Sequence, residues 1–413
     1  MSTIRLPPRV LELAREAVAA GTTDGLPAYV YDLTALDAHA ARIRAALPPA
    51  AEFYYAVKAN PDAAVLRTVA RHADGFEVSS GGELEHANAA VPGQPRAFGG
   101  PGKTSAELAA ALRVGVTRFH VESPLELSMH AAAARAAGVR ADILLRVNPP
   151  GPAPGARAAG PAGGASPGEL AALVMGEQPS PFGMDLVLLD RCAQTLAELG
   201  NGPLRLRGLH AHLASGLDAA GLLAAAGRLL AFGRDWCARH HVTDPEFNLG
   251  GGMAVDYRRP EVRFDWDAYG RGLARLARPG ETLRIEPGRA VTAYCGWYLT
   301  RVLDVKHSHG QAFAVIAGGT HHLRTPAAKG HDQPFAVVPV PDWAPPWPRP
   351  GVADTAVTIT GQLCTPKDVL ARQVTVPRLR AGDVVAFGLA GAYAWNISHH
   401  SFLMHPPPLF HYL

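Results

Sequence analysis

Apolar positions along the chain gather into short runs separated by amphipathic stretches. The runs are FYYAVKAN (53–60), GFEVSS (75–80), RAFGG (96–100), RFHVES (118–123), ADILLRVNP (141–149), LRLRGLHAHL (204–213), EFNLGGG (246–252) and LRIEPG (283–288). Between them the segments 63–72, 82–90, 105–114, 125–137, 186–199, 219–240 and 266–277 carry helical periodicity. Strands that alternate with helices pair in parallel through right-handed crossovers. Eight such strands are the number that closes a (β/α)8 barrel of about 250 residues. An open doubly wound sheet competes for the same pattern.

After Arg289 the texture changes. AVTAYCGWYLTRVLDVKHS, QAFAVIAGG, PFAVVPV, TAVTITGQL and DVVAFGLAGAY are rich in β-branched and aromatic residues, with turn residues between them. The expectation is a TIM-type barrel over residues 30–288, followed by an all-β barrel or sandwich domain over 289–413, with the segment 1–29 packed on it. The stretch 149–168, PPGPAPGARAAGPAGGASPG, reads as a low-complexity loop after the fifth strand, and PDWAPPWPRP (341–350) as a loop of the β domain.

Composition narrows the partners. Lys+Arg number 39 and Asp+Glu 36, a net +3 with no basic run, so neither a nucleic-acid nor a membrane partner is expected. Cys192, Cys237, Cys295 and Cys364 have no paired spacing, against a disulfide framework or a zinc site. The N-terminus lacks an apolar signal core and no run reaches roughly 18 apolar residues, so a cytoplasmic protein is expected.

In a (β/α)8 barrel the strand C-termini build the active site. Lys58, Glu77, Arg146, His210, His212, Ser215, Gly250–Gly252, Glu286, Gly288 and Arg289 stand at or just beyond those ends. A lysine closing an apolar strand is either a snorkelling edge residue or a buried amine made nucleophilic toward aldehydes. Three glycines after an apolar strand are either a tight turn or a backbone cradle open to phosphate. Arg289 could supply a charged donor to the same phosphate, and Glu286 a carboxylate for a pyridinium nitrogen. Together these describe a site for pyridoxal 5′-phosphate with no metal. GGPGKTS (99–105) mimics a phosphate-binding P-loop, but Ala97 stands where its first glycine belongs. His210 and His212 could be a metal pair, yet no neighbour in the sequence completes the ligand set.

With these residues the chain resembles the fold-type III pyridoxal-phosphate decarboxylases, the group of diaminopimelate, ornithine and arginine decarboxylases. YAVKAN resembles the Schiff-base motif and implies Lys58 as the cofactor lysine. FEVSSGGEL implies Glu77 near the cofactor, and LLRVNP implies Arg146 near the ring hydroxyl. GLHAHLASG implies His212 stacked on the pyridine and Ser215 at the phosphate. NLGGGM implies Gly250, Gly251 and Gly252 as the phosphate loop. IEPGR implies Glu286 at the ring nitrogen, with Gly288 and Arg289 at the phosphate. GQLC implies Cys364 reaching a partner's active site, and GAY implies Tyr393 at the phosphate. The implied catalytic residues are Lys58, Cys364 and His212, in a homodimer whose sites are shared between chains and whose substrate is a small amino acid.

One departure stands out. Thr365 follows Cys364 where diaminopimelate and ornithine decarboxylases carry an acid, and a neutral hydroxyl cannot neutralise a distal ammonium. In THHLRTP, His322 and Arg324 fall where the family contacts substrate, and with Thr365 they suit a carboxylate-rich tail. CTPKDVL and AGAYAWNISHHSFL most resemble the branch found with siderophore synthetases, which decarboxylates an amino-acid head on a citryl-type intermediate. Diaminopimelate decarboxylation, amino-acid racemisation and a non-catalytic binding role are the alternatives.

Overall fold

The computed structural model describes residues 4–19, 25–116, 118–149, 173–174, 179–200 and 202–413. Except for Pro149, the loop expected over 149–168 lies outside them. Helix α1 (Pro8–Ala19) and strand β1 (Ala28–Tyr31) come first, followed by α2 (Leu33–Ala46). Eight strands then close a parallel barrel: β2 (Ala51–Ala56), β3 (Gly75–Val78), β4 (Arg96–Phe98), β5 (Arg118–Val121), β6 (Ala141–Arg146), β7 (Leu204–His210), β8 (Glu246–Asn248) and β9 (Thr282–Ile285). The ring runs β8-β9-β2-β3-β4-β5-β6-β7, and β8 pairs β7 to shut it, which excludes the open sheet. Each strand is shorter than its apolar run, because the end of the run leaves the sheet for the following turn. Lys58 thus sits in a single 3-10 turn, Val57–Ala59, beyond β2.

Helices α3 (Ala63–Val69), α4 (Gly81–Ala90), α5 (Ser105–Arg113), α6 (Pro124–Ala137), α7 (Leu186–Leu199), α8 (Ala219–Arg239) and α9 (Trp266–Leu276) make the crossovers. All seven start on a short polar cap: Asp62, Ser80, Thr104, Ser123, Asp185, Asp218 and Asp265. Each side chain accepts an otherwise unpaired N–H of the first turn, a contribution of about 1 kcal/mol apiece. Thr104 and Glu107 close a full capping box. These caps pin the loops that carry the strand-end residues.

Toward the opposite end of the barrel the interior is charged. Arg284 is completely buried, with Nη2 2.5 Å from Glu52 and 2.9 Å from Glu246. Its guanidinium lies 4.6 Å from the centre of the Tyr54 ring. The network is structural and fills a layer that aliphatic side chains commonly occupy.

The chain forms two compact units. One comprises residues 37–254 and 264–288; the other comprises the chain up to Leu36, residues 255–263 and 289–413. The division expected at 29/30 would cut β1, whose four residues all pair with the second unit's β10 (Gly296–Ser308). After the one-turn helix α10 (Arg289–Thr292) come β10, β11 (Gln311–Ile316), β12 (Phe335–Val338), β13 (Gly351–Thr360), β14 (Val369–Arg380), β15 (Val384–Phe387) and β16 (Leu409–Tyr412). They build one mixed sheet in the order β12-β15-β10-β11-β13-β14, with β1 joined to β10 and β16. Its core holds Val10 and Ala14 of α1 against Trp297, Leu299, Val338 and Val384. The N-terminal segment therefore packs in this unit. β14 was not evident beforehand, because Arg372, Gln373, Arg378 and Arg380 dilute its apolar alternation. No helix among the described residues is long and apolar enough to cross a membrane.

Candidate active site

The barrel mouth collects its titratable groups in one place. Lys58 Nζ forms a direct ion pair with Glu77 Oε2 and donates to Ser79 Oγ at 3.4 Å. The Ser79 hydroxyl donates to Glu77 Oε1 at 2.8 Å. Burial alone would raise the Glu77 carboxyl, but the charge and hydrogen bond of Lys58, with Ser79, outweigh it and hold it below the usual carboxylate range. Glu286 behaves oppositely. Burial, then the like charge of Glu77, push its carboxyl up to about 7, against the pull of Lys58 and Asn248. Two carboxylates with affinities moved apart are a mark of a functional site.

His212 is held by its neighbour in the glycine turn. Gly251 N–H donates to His212 Nδ1 at 3.0 Å, which leaves the proton on Nε2. Burial, then the charges of Lys58 and Arg146, lower this imidazole to about 4, so at neutral pH it is an uncharged flat ring. The turn itself admits no side chains. Gly250 and Gly252 have φ of +69° and +98°. A Cβ on Gly251 would lie 2.4 Å from the Glu286 carbonyl oxygen, and one on Gly252 2.1 Å from that of Ala214. Ser215 packs behind this turn, and the Gly216 N–H donates to the Gly252 carbonyl at 2.7 Å. Gly288 is buried two residues beyond Glu286.

Arg146 is buried and paired with Glu122 at 2.6 Å, and the other Glu122 oxygen accepts Gly183 N–H at 3.0 Å. Its guanidinium lies 5.1 Å from the Phe182 ring centre. His210 is buried in the barrel mouth and does not pair with His212. The His210 ring lies 4.1 Å from that of His120 instead, and Nε2 is 3.7 Å from Glu286 Oε2. The ligand atoms of His120, His210 and Glu286 fall within 4.8 Å of one another, a grouping that no spacing in the sequence announces. Asn248 donates to Glu286 Oε1 at 2.6 Å and so ties this floor together. Lys103 of the GGPGKTS stretch is buried against Glu126 at 2.6 Å, so its ammonium is committed within the fold.

The second unit carries the remaining expected residues. Arg289 Nη1 donates to the Tyr257 hydroxyl at 2.8 Å, and its guanidinium lies 4.5 Å from the Tyr393 ring centre. Tyr393 holds a positive φ of 49°. Cys364 is exposed, whereas Cys192, Cys237 and Cys295 are buried, and none of the four is in a disulfide. Buried Asp368 accepts the N–H groups of Thr320 at 2.7 Å and Leu363 at 2.8 Å and so anchors the loops on which Cys364 and Thr365 stand. Arg324 is exposed. His322 has different surroundings from those of a substrate ligand. It is buried, its Nδ1 shares a hydrogen bond with the Tyr298 hydroxyl at 3.0 Å, and Nε2 meets the Pro406 carbonyl at 3.1 Å. His400 stacks on Trp395 with ring centres 3.6 Å apart.

Sequence reasoning missed Ser79, His120, Glu122 and Asn248. All four lay within quoted runs, Ser79 in GFEVSS, Asn248 in EFNLGGG and the other two in RFHVES, but their partners come from the barrel: Glu122 meets Arg146 because β5 lies next to β6, and His120 meets His210 and Asn248.

The barrel set fits pyridoxal phosphate. It offers an amine beside a carboxylate, a glycine turn that any Cβ would fill, and an acid at the mouth. Both nitrogens of buried His210 lack a hydrogen-bond partner. A sequence model described as pyridoxal-dependent decarboxylase, pyridoxal binding domain, matches residues 33–293. Over 390 residues the chain is 37% identical to the 2-[(L-alanin-3-ylcarbamoyl)methyl]-2-hydroxybutanedioate decarboxylase of Staphylococcus aureus, covering 93% of each chain. It is 31% identical to the diaminopimelate decarboxylase of Deinococcus radiodurans over 401 residues, covering 96% of this chain and 93% of the relative. The fold matches a diaminopimelate decarboxylase structure from Helicobacter pylori with a TM-score of 0.79 at 22% identity, covering 97% of this chain and 94% of the other. The chain therefore belongs to the pyridoxal-dependent decarboxylases, enzymes that remove a carboxyl group from an amino-acid substrate with pyridoxal 5′-phosphate as their cofactor.

Proposed function

We propose that this chain decarboxylates an amino-acid head carried on a carboxylate-rich tail, an intermediate of the citryl-diamino-acid type used in siderophore biosynthesis. The observation that carries this reading is the 37% identity, across 93% of both chains, to a decarboxylase whose named substrate joins an alanine to a hydroxybutanedioate. Thr365 supports it. An acid after Cys364 would repel such a tail, while a hydroxyl tolerates it, and exposed Arg324 offers a fork of donors to a carboxylate. Burial and existing hydrogen bonds make His322 the weakest of the substrate-binding assignments.

Bound pyridoxal phosphate supplies the electron sink for the pair left behind when the Cα–carboxyl bond breaks. The chain's own residues do the rest. Lys58 is the amine that would hold the cofactor's aldehyde carbon. Glu77 and Ser79 keep that amine oriented. Glu286 retains a proton on the ring nitrogen, and His212 presents a neutral face to the ring. Gly250–Gly252, Ser215, Gly288, Arg289 and Tyr393 hold the phosphate, and Arg146 approaches the ring hydroxyl. Cys364 of a second copy, or Lys58, returns the proton to Cα. The reading includes a homodimer with shared sites and a cytoplasmic location, in keeping with three buried thiols outside any disulfide.

Carbon dioxide release from three compounds tests the substrate. The citryl-diaminopropionate conjugate should be the preferred one, ahead of meso-diaminopimelate and ornithine. Turnover of meso-diaminopimelate alone would replace this reading with the lysine-pathway alternative.

A further inference from the structure

His120 has no role in the resemblance, yet its surroundings assign one. The side-chain amide of Asn248 lies between His120 and Glu286. Its Oδ1 accepts the Gly250 N–H at 2.9 Å, which settles which way the amide points. Both hydrogens of Nδ2 must then be given away. One goes to Glu286 Oε1 at 2.6 Å, and the other meets His120 Nε2 at 3.1 Å. A nitrogen that receives an N–H must present a lone pair, so His120 is neutral with its proton on Nδ1. The ring is completely buried, and burial together with the charges of Arg284, Lys103, Arg146 and Lys58 holds it well below its ordinary value. Protonation at Nε2 would set two donors against each other.

We propose that His120 is a positioning residue for Glu286. By taking the second Asn248 N–H, it holds the amide plane so that the first stays on Glu286 Oε1. Glu286 Oε2 then remains the oxygen that accepts no hydrogen bond among the described residues, and is the one available to a ring nitrogen. The proposal rests on Glu286 as the ring-nitrogen partner. The groups facing Glu286 are Glu77, Lys58, Arg284, His120 and His210. Of these, His120 Nε2 lies 3.6 Å from Glu286 Oε1 and also meets it through the neutral Asn248 amide, whose direction is already set by the backbone.

The test uses purified protein stripped of cofactor and titrated with pyridoxal 5′-phosphate. Affinity and the pH midpoint of the visible absorbance are read for wild type, His120→Phe, His120→Gln and Glu286→Gln. H120F keeps a ring against His210 but removes the acceptor, so binding should weaken about tenfold, as expected for one buried donor left unpaired. The same loss leaves the Glu286 carboxylate less stabilised, so the midpoint should rise by about one pH unit. H120Q restores an acceptor and should recover most of both. If H120F does not fold, His120→Leu takes its place. Equal losses in H120F and H120Q, or a lowered melting temperature with affinity and midpoint unmoved, would overturn the proposal. A midpoint that does not move in E286Q would instead overturn the reading of Glu286.

Discussion

The Lys58 ammonium lies directly against the Glu77 carboxylate at the barrel mouth, with the Ser79 hydroxyl bridging to the second carboxylate oxygen. The pair joins the ends of adjacent parallel strands, β2 and β3, whose register sets Ala56 opposite Glu77. The ion pair and the Ser79 contact hold the amine in one orientation. Lys58→Ala should abolish the visible band of lysine-bound pyridoxal phosphate and lower turnover by about 10²–10⁴-fold, the range for a group that moves protons and forms bonds. Absorbance of the loaded variant, with carbon dioxide release, checks it. Retention of the visible band would remove Lys58 from this role.

Glu286 makes the stability of the cofactor-free protein depend on pH. Its carboxyl sits at about 7 folded against an ordinary 4.5. Between those values the folded state keeps a proton that the unfolded chain has lost. This contribution is full below pH 4.5 and disappears as pH rises through 7. Glu286→Gln stays neutral and escapes the loss. At pH 8 the cofactor-free variant should be more stable than wild type by about 2–3 kcal/mol, with the difference vanishing near pH 4. Urea midpoints at the two pH values measure this. A variant less stable at pH 8 would contradict it.

His212 offers a flat neutral ring, and its ring nitrogen also receives the Gly251 N–H. His212→Phe keeps the ring and His212→Ala removes it. Alanine should weaken cofactor binding by about two- to tenfold relative to phenylalanine, the range for one stacked aromatic contact. Equal affinities in the two variants would show that stacking is not what His212 supplies.

Arg284 is a stability residue. Replacing it by methionine leaves buried Glu246 without its Nη2 partner at 2.9 Å. Breaking a buried pair costs about 3–5 kcal/mol. The melting temperature should fall by on the order of 10 °C. The ion pair stands at the strand starts and reaches Glu286 through the charge of Arg284, so KM below the new melting range should change little, and a large rise would place Arg284 in the site.

The proposed sharing of sites between two chains is open to a complementation test. Lys58→Ala and Cys364→Ala are each damaged at one contribution to a two-chain site. Co-refolding them in equal amounts should restore about a quarter of wild-type activity, since half of the random dimers carry one intact site. Activity no greater than that of either variant alone would rule out the sharing of Lys58 and Cys364 between chains.

The alternation of apolar runs and helical stretches narrowed the fold to a barrel or an open parallel sheet, because period and element order leave few topologies for eight parallel strands, and ring closure chose the barrel. Local motifs likewise marked Lys58, Glu77, His212 and Glu286, since each stands at the end of a run that must become a strand. Pairing was another matter. That Arg146 is neutralised by Glu122, that His210 meets His120 rather than His212, and that Asn248 spends its two amide hydrogens on Glu286 and His120 depend on which strands lie side by side. β1 joined the sheet of the second unit rather than the barrel for the same reason: four residues far away in sequence presented the free edge it needed. Sequence specified which groups stand at the mouth. Only closure of the barrel decided their partners, and with them their tautomers and charge states, because hydrogen bonds across strands form between residues that no local pattern relates.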